Sequence, residues 1–172
     1  MPLLTREMGI SAQSLYSTFI SKAALYREAL EHYRQKVNFA ARAYAEEDDI
    51  WTAFRRVLSE AAEQFTQVGR PSGCMLSIGM LQFADEHLSL AESVQEMRAG
   101  ALRATETRIR KGQRAGQLIP GTDAKALARL LYATVLGMAV QARDGATRKE
   151  LRQVAGIAFA GLEYLRPTAT PQ

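Results

Sequence analysis

The sequence predicts an all-α protein, and three observations carry that expectation. Alternating runs of β-branched residues do not occur. Apolar residues instead recur three and four positions apart throughout the chain. The clearest Gly and Pro clusters, Gly69-Arg70-Pro71-Ser72-Gly73 and Gly116 to Gly121 with Pro120, punctuate those periodic stretches. With 172 residues, 47% hydrophobic and 23% charged, the chain can bury a sizeable core as one domain, or as one domain with a small appendage.

The elements follow in order. Leu3 to Met8 reads as the last turns of a helix that stops at Gly9. Ser11 is an N-cap, and Leu15 and Phe19, four apart, share the inward face of a short helix. Gln13, Ser14, Ser17 and Thr18 project elsewhere, giving a small polar front of the kind a helix reading the major groove requires. Ser21 caps the next helix, whose first residue, Lys22, is placed to meet a phosphate; this helix is expected to run unbroken to about Ala45. Glu46-Glu47-Asp48-Asp49 places acid ahead of a helix carrying Trp51, Phe54, Leu58, Ala61 and Phe65. Cys74 to about Phe83 reads as a short helix buried all round. Asp85 to about Gly112 is a long helix with Leu90, Val94, Met97, Ala101 and Leu102 inward. Its cationic cluster, Arg103, Arg108, Arg110, Lys111 and Arg114, is expected to be a solvated face. Two final helices, near Asp123 to Arg143 and Thr147 to Leu165, carry apolar stripes beside small residues.

The stretch from Met8 to Leu25 resembles the helix-turn-helix signature of the TetR family of transcriptional repressors: Gly9-Ile10-Ser11, Leu15-Tyr16 with Phe19, and Ser21-Lys22 with Leu25 stand in family order. Pro71 to Leu76, Gly112-Gln113 with Gly116, and Gly137 to Gly145 are similar to landmarks of TetR-like regulatory domains. The resemblance implies a TetR-like all-α architecture, a partial helix-turn-helix head followed by an effector-binding and dimerisation domain. The expected divisions are 1–45 for the head and connecting helix, 46–166 for the regulatory domain and 167–172 for a frayed tail. TetR-like chains carry a whole first helix and most of a second before the turn glycine, so an N-terminally shortened head is expected here. Exposing a few hundred Å2 of apolar surface there would cost about 5–10 kcal/mol at ~25 cal/mol/Å2.

Site residues follow. For DNA they are Ser11, Ala12, Gln13, Ser14, Tyr16, Ser17, Thr18 and Lys22, with Gln13 and Ser14 toward base edges and the hydroxyls and Lys22 toward phosphates. For a small hydrophobic or aromatic effector, the flexible and aromatic residues Trp51, Phe54, Phe65, Cys74, Met75, Ile78, Phe83, Met97, Tyr132 and Met138 are the candidate lining. For a homodimer, which the family makes through its last two long helices, Leu127, Leu130, Thr134, Gly137, Leu151, Val154, Ala158 and Leu162 form the candidate interface.

Little points to catalysis or to a cofactor. His32 and His87 lie on different helices without metal-spaced partners, and no Gly-rich loop follows a strand. The single cysteine, Cys74, rules out an intramolecular disulfide and fits a reducing compartment; it reads as a buried core thiol or as a sensor at a helix start. No signal peptide or membrane span is read, so a cytoplasmic protein is expected. The net charge of +4 permits nucleic-acid binding without proving it. Two functions stay open: a ligand-responsive regulator, expected to be a repressor at a palindromic operator, and an effector-binding and dimerisation module without autonomous DNA binding.

Overall fold

The computed structural model describes residues 2–168, and all regular structure among them is helical. The helices are α1 (Pro2–Met8), α2 (Ala12–Thr18), α3 (Lys22–Lys36), α4 (Phe39–Glu46), α5 (Ile50–Phe65), α6 (Met75–Ile78), α7 (Leu88–Arg114), α8 (Ala124–Arg143) and α9 (Arg148–Glu163), with a 3-10 turn at Asp85–His87 before α7. Of the expected tail, residues 169–172 lie outside the described residues.

Local signals set most boundaries. Gly9 takes a left-handed φ of +65°, and the Ile10 amide closes onto the Thr5 carbonyl at 3.1 Å, ending α1. The Ser11 hydroxyl accepts from the Ser14 amide at 3.0 Å, and Ser21 does the same for Ala24 at 3.1 Å, starting α2 and α3. Asp49, Asp123 and Thr147 cap α5, α8 and α9, the last in a reciprocal capping box with Glu150.

The centre of the molecule is α5. Its buried face runs through Ile50, Phe54, Val57, Leu58, Ala61 and Phe65 and is covered by α4, α8 and α9. Phe39 of α4 meets Phe65 edge to face at 5.9 Å, and Trp51 meets Phe54 in the same way. A polar stitch ties this centre to the loop after α7: the Trp51 Nε1–H donates to the Gln117 carbonyl at 2.9 Å, while Gln117 Oε1 accepts from the Ile50 amide at 3.0 Å.

Three local expectations are corrected. The helix from Lys22 does not continue to Ala45; it stops at Val37, and Asn38 precedes a new helix. The break re-aims the chain so that Phe39 and Ala43 reach the core on α5, a packing gain no local signal reports. The segment from Cys74 to Phe83 is helical for a single turn only. A Cβ on Gly79 would overlap the Met75 carbonyl oxygen, Met80 follows at φ 54°, and Leu81 and Phe83 emerge into solvent. Arg108, expected on a solvated face, is 4% exposed; its Nη2 donates to the Glu47 and Asp48 carbonyls at 3.0 and 2.8 Å, and burial pulls its pKa down.

Candidate DNA-reading helix, ligand cavity and interface

The head presents α2 outward. Leu15 is 1% exposed and holds the helix from beneath, whereas Ser11, Ala12, Gln13, Ser14, Tyr16, Ser17, Thr18 and Lys22 are all exposed. Their polar groups are not equally free. Ser17 and Thr18 donate their hydroxyl protons to the Ser14 carbonyl, at 2.8 and 3.3 Å. The side chains of Gln13, Tyr16 and Lys22 have no hydrogen-bond partner among the described residues, so their full capacity faces outward. Lys22 stands at the first position of α3, where the helix dipole favours an anion. Apolar side chains of the head are also exposed: α1 buries none of its residues, and Leu3 and Ile20 are 65% and 96% accessible.

A cavity of about 170 Å3 lies among α4, α5, α6, α7 and α8. Phe65, Cys74, Met97 and Tyr132 line it, together with Val37, Phe39, Leu131 and Val135. Met75, Ile78 and Cys74 line a second, larger groove of about 590 Å3 against α3. The other residues expected in the pocket lie elsewhere. Trp51, Phe54 and Met138 line neither space and are buried in the core, where Trp51 spends its N–H on Gln117. Phe83 is 44% exposed on the segment after α6. Bulk and aromaticity mark both core and pocket residues, so composition alone could not separate them.

The cavity has a polar side that sequence reasoning missed. Tyr44, Ser77, Arg98 and Thr105 line it, and no Asp or Glu does. Thr105 donates to the Tyr44 hydroxyl at 3.2 Å, and burial pushes the Tyr44 phenol up to about 12. Arg98 Nη1 donates to the carbonyls of Gly79 and Leu76, at 2.8 and 3.3 Å, at the end of α6. The available signal was position: Arg98 falls four residues after Val94 on the inward stripe of α7, where an unpaired cation is costly. The same corner reaches the head. A Cβ on Gly79 would lie 2.8 Å from the Tyr26 hydroxyl of α3, and Arg27 of α3 donates to Ser89 of α7 at 2.8 Å. Cys74 is 7% exposed beside Tyr33, whose pKa is raised by burial and then by the neighbouring thiol.

The outer faces of α8 and α9 form an apolar stripe. Leu130 is 57% exposed and Ile157 76%, with Thr134, Gly137, Val154 and Ala158 partly covered near them. Leu127, Leu151 and Leu162 correct the expected interface: they are buried within their own chain, because α5 packs against both α8 and α9. Ile157 and Val140 belong to the exposed stripe instead.

The family pattern described as tetracyclin repressor-like, C-terminal domain, matches residues 51–156. The chain belongs to the TetR family of transcriptional regulators. That stretch takes in α5 from Trp51 onward, α6 to α8, the walls they give the cavity and half of α9, while the α4 wall of the cavity precedes it. Among curated proteins, the TetR-family chain is 27% identical over 155 residues to the HTH-type transcriptional repressor ComR of Escherichia coli strain K12, covering 89% of this chain and 74% of that one. Among solved structures it is similar to the TetR family regulator CifR, a cysteine mutant complexed with a 26-base-pair double-strand operator DNA. The TM-score is 0.87 at 29% identity, over 93% of this chain and 84% of that one. A putative TetR regulator from Rhodococcus sp. RHA1 is 30% identical, with a TM-score of 0.63 over 96% and 87% of the two chains. The solved relatives confirm the all-α TetR architecture expected from the sequence. No helix of the described residues is long and apolar enough to cross a membrane.

Proposed function

We propose that this chain is a ligand-responsive repressor that binds a palindromic operator as a homodimer and carries no enzymatic activity. The observation that carries the reading is α2, whose polar side chains all face outward over a buried Leu15, on a fold shared with a relative solved on operator DNA. Gln13 and Ser14 read base edges. Lys22, Tyr16, Ser11, Ser17 and Thr18 hold the backbone, the last two after turning their hydroxyls away from the Ser14 carbonyl. Residues 1–45 serve as head and connecting helix and 46–166 as regulatory domain, with α4 at their junction. The stripe on α8 and α9 pairs with its copy in a two-fold interface, spacing two reading helices along one face of the duplex. A small, largely apolar effector occupies the cavity. It releases the operator only by binding the DNA-incompetent state better. Such a regulator works in the cytoplasm.

The exposed apolar side chains of α1 favour a second reading, a sensor module whose head does not read DNA alone. Fluorescence anisotropy on DNA from the chain's own promoter, over a salt series, separates the two. Binding that beats unrelated DNA supports the repressor. Equal binding to both, from a folded dimer, supports the sensor module and refutes the first reading.

A further inference from the structure

The cavity carries more chemical information than its apolar walls suggest. Resting on the reading that it is the effector site, we infer that its ligand is a small monocarboxylic acid with an apolar body about the size of one ring, its carboxylate held by Arg98.

Three side chains offer unused donors to such a group. Arg98 uses only Nη1 within the protein, for the Gly79 and Leu76 carbonyls. Its Nε and Nη2 have no hydrogen-bond partner, and no carboxylate lies within ion-pair distance, among the described residues. Those two N–H groups form the side edge of the guanidinium, which accepts a carboxylate through two parallel hydrogen bonds. Ser77 is 93% buried by its 7% exposure, lines the same cavity, and its hydroxyl has no partner among the described residues. Tyr132 is likewise without a hydrogen bond there, and burial raises its pKa, leaving the phenol a donor across the working pH range. Arg98 is the one formal charge in the lining, so a single negative charge completes the site; a phosphate would bring more charge than one guanidinium answers.

Size and shape restrict the rest. A cavity of roughly 150 Å3 holds a benzene ring, and this one measures about 170 Å3. Phe39, Phe65, Met97, Leu131 and Val135 surround that volume with apolar surface. An aromatic or cyclic acid fits the space, with its carboxylate toward α6 and α7 and its ring toward α5 and α8.

The test is isothermal titration calorimetry on the full chain with matched pairs: benzoate and benzyl alcohol, cyclohexanecarboxylate and cyclohexylmethanol. At least one acid is expected to saturate at one per chain and to bind about tenfold or more tightly than its alcohol. In Arg98→Met the acid should lose its advantage and bind no more tightly than the alcohol. If Arg98→Met fails to fold, the wild-type pairs still decide. Alcohols that bind as well as their acids, or no binding by either acid to the folded chain, overturn the inference. Val135→Phe fills the cavity and separates the two layers of the argument. Alcohol binding that this variant abolishes, without preference for the acid, leaves the cavity reading standing and removes the acid. Binding of either compound that survives Val135→Phe removes the cavity reading and the inference together.

Discussion

Gly112→Ala sets two opposed effects against each other at a place where the structure decides the sign. Gly112 is buried within α7, and in an ordinary helix interior alanine is favoured over glycine by about 1 kcal/mol. Here the new Cβ would stand 2.7 Å from Ile50 Cδ1, 3.2 Å from Ile50 Cβ and 3.4 Å from Gln117 Oε1. Ile50 has no exposed surface into which it can retreat. Its Cδ1 can rotate, but its Cβ moves only with the start of α5, where the Ile50 amide is bonded to Gln117. Overpacking of this kind costs about 1–3 kcal/mol, and loss of the Gln117 bond about 1 kcal/mol more. The net expectation is a destabilisation of about 1–3 kcal/mol, which at roughly 2–4 °C per kcal/mol for a chain of this size lowers Tm by about 5 °C. Thermal unfolding at fixed protein concentration measures it. The decisive comparison repeats the substitution in an Ile50→Val background, which lacks the clashing Cδ1. There the cost should shrink by about 0.5 kcal/mol or more. A variant more stable than the parent, or an equal cost in both backgrounds, would show that the close approach to Ile50 is not what excludes a side chain at Gly112.

Other expectations follow from the same structure. Lys22→Ala should weaken DNA binding nearly uniformly across sequences and lower the salt slope by about one, whereas Gln13→Ala should cost about 1–3 kcal/mol at its contacted base and relax specificity there; anisotropy on operator and single-base variants distinguishes them. Ile157→Glu, on a side chain 76% exposed in the single chain, should leave the helical spectrum intact and convert the proposed dimer to monomer by light scattering. Glu150 has its pKa lowered by the Thr147 hydroxyl and then by the Thr147 amide. Its cap therefore contributes fully above the ordinary carboxylate pKa and fades as pH falls through the lowered value, so Glu150→Gln should flatten the acid limb of stability in denaturant titrations between about pH 7 and 3.

Sequence alone determined what depends on neighbours along the chain. The turn at Gly9, the caps at Ser11 and Ser21, and the outward polar front of α2 are local chemistry, read from residues within one helical turn of each other. The apolar spacing that made the chain all-α is equally local. Tertiary structure decided which partner each apolar face meets. Leu127, Leu130, Leu151 and Ile157 share similar spacing and hydrophobicity. Only the placement of α5 against α8 and α9 puts Leu127 and Leu151 in the core and leaves Leu130 and Ile157 outside. The break at Val37 and Asn38 has the same origin, since burying Phe39 and Ala43 on α5 outweighs continuing a helix. Arg98 and Arg108 show the limit most directly. A guanidinium is read from sequence as solvated, because burial is costly without partners, and its partners here are carbonyls far along the chain: Gly79 and Leu76 for one, Glu47 and Asp48 for the other. Carbonyls are present at every residue and leave no mark in the sequence; only the fold says which of them a buried Arg108 or a partly buried Arg98 can reach.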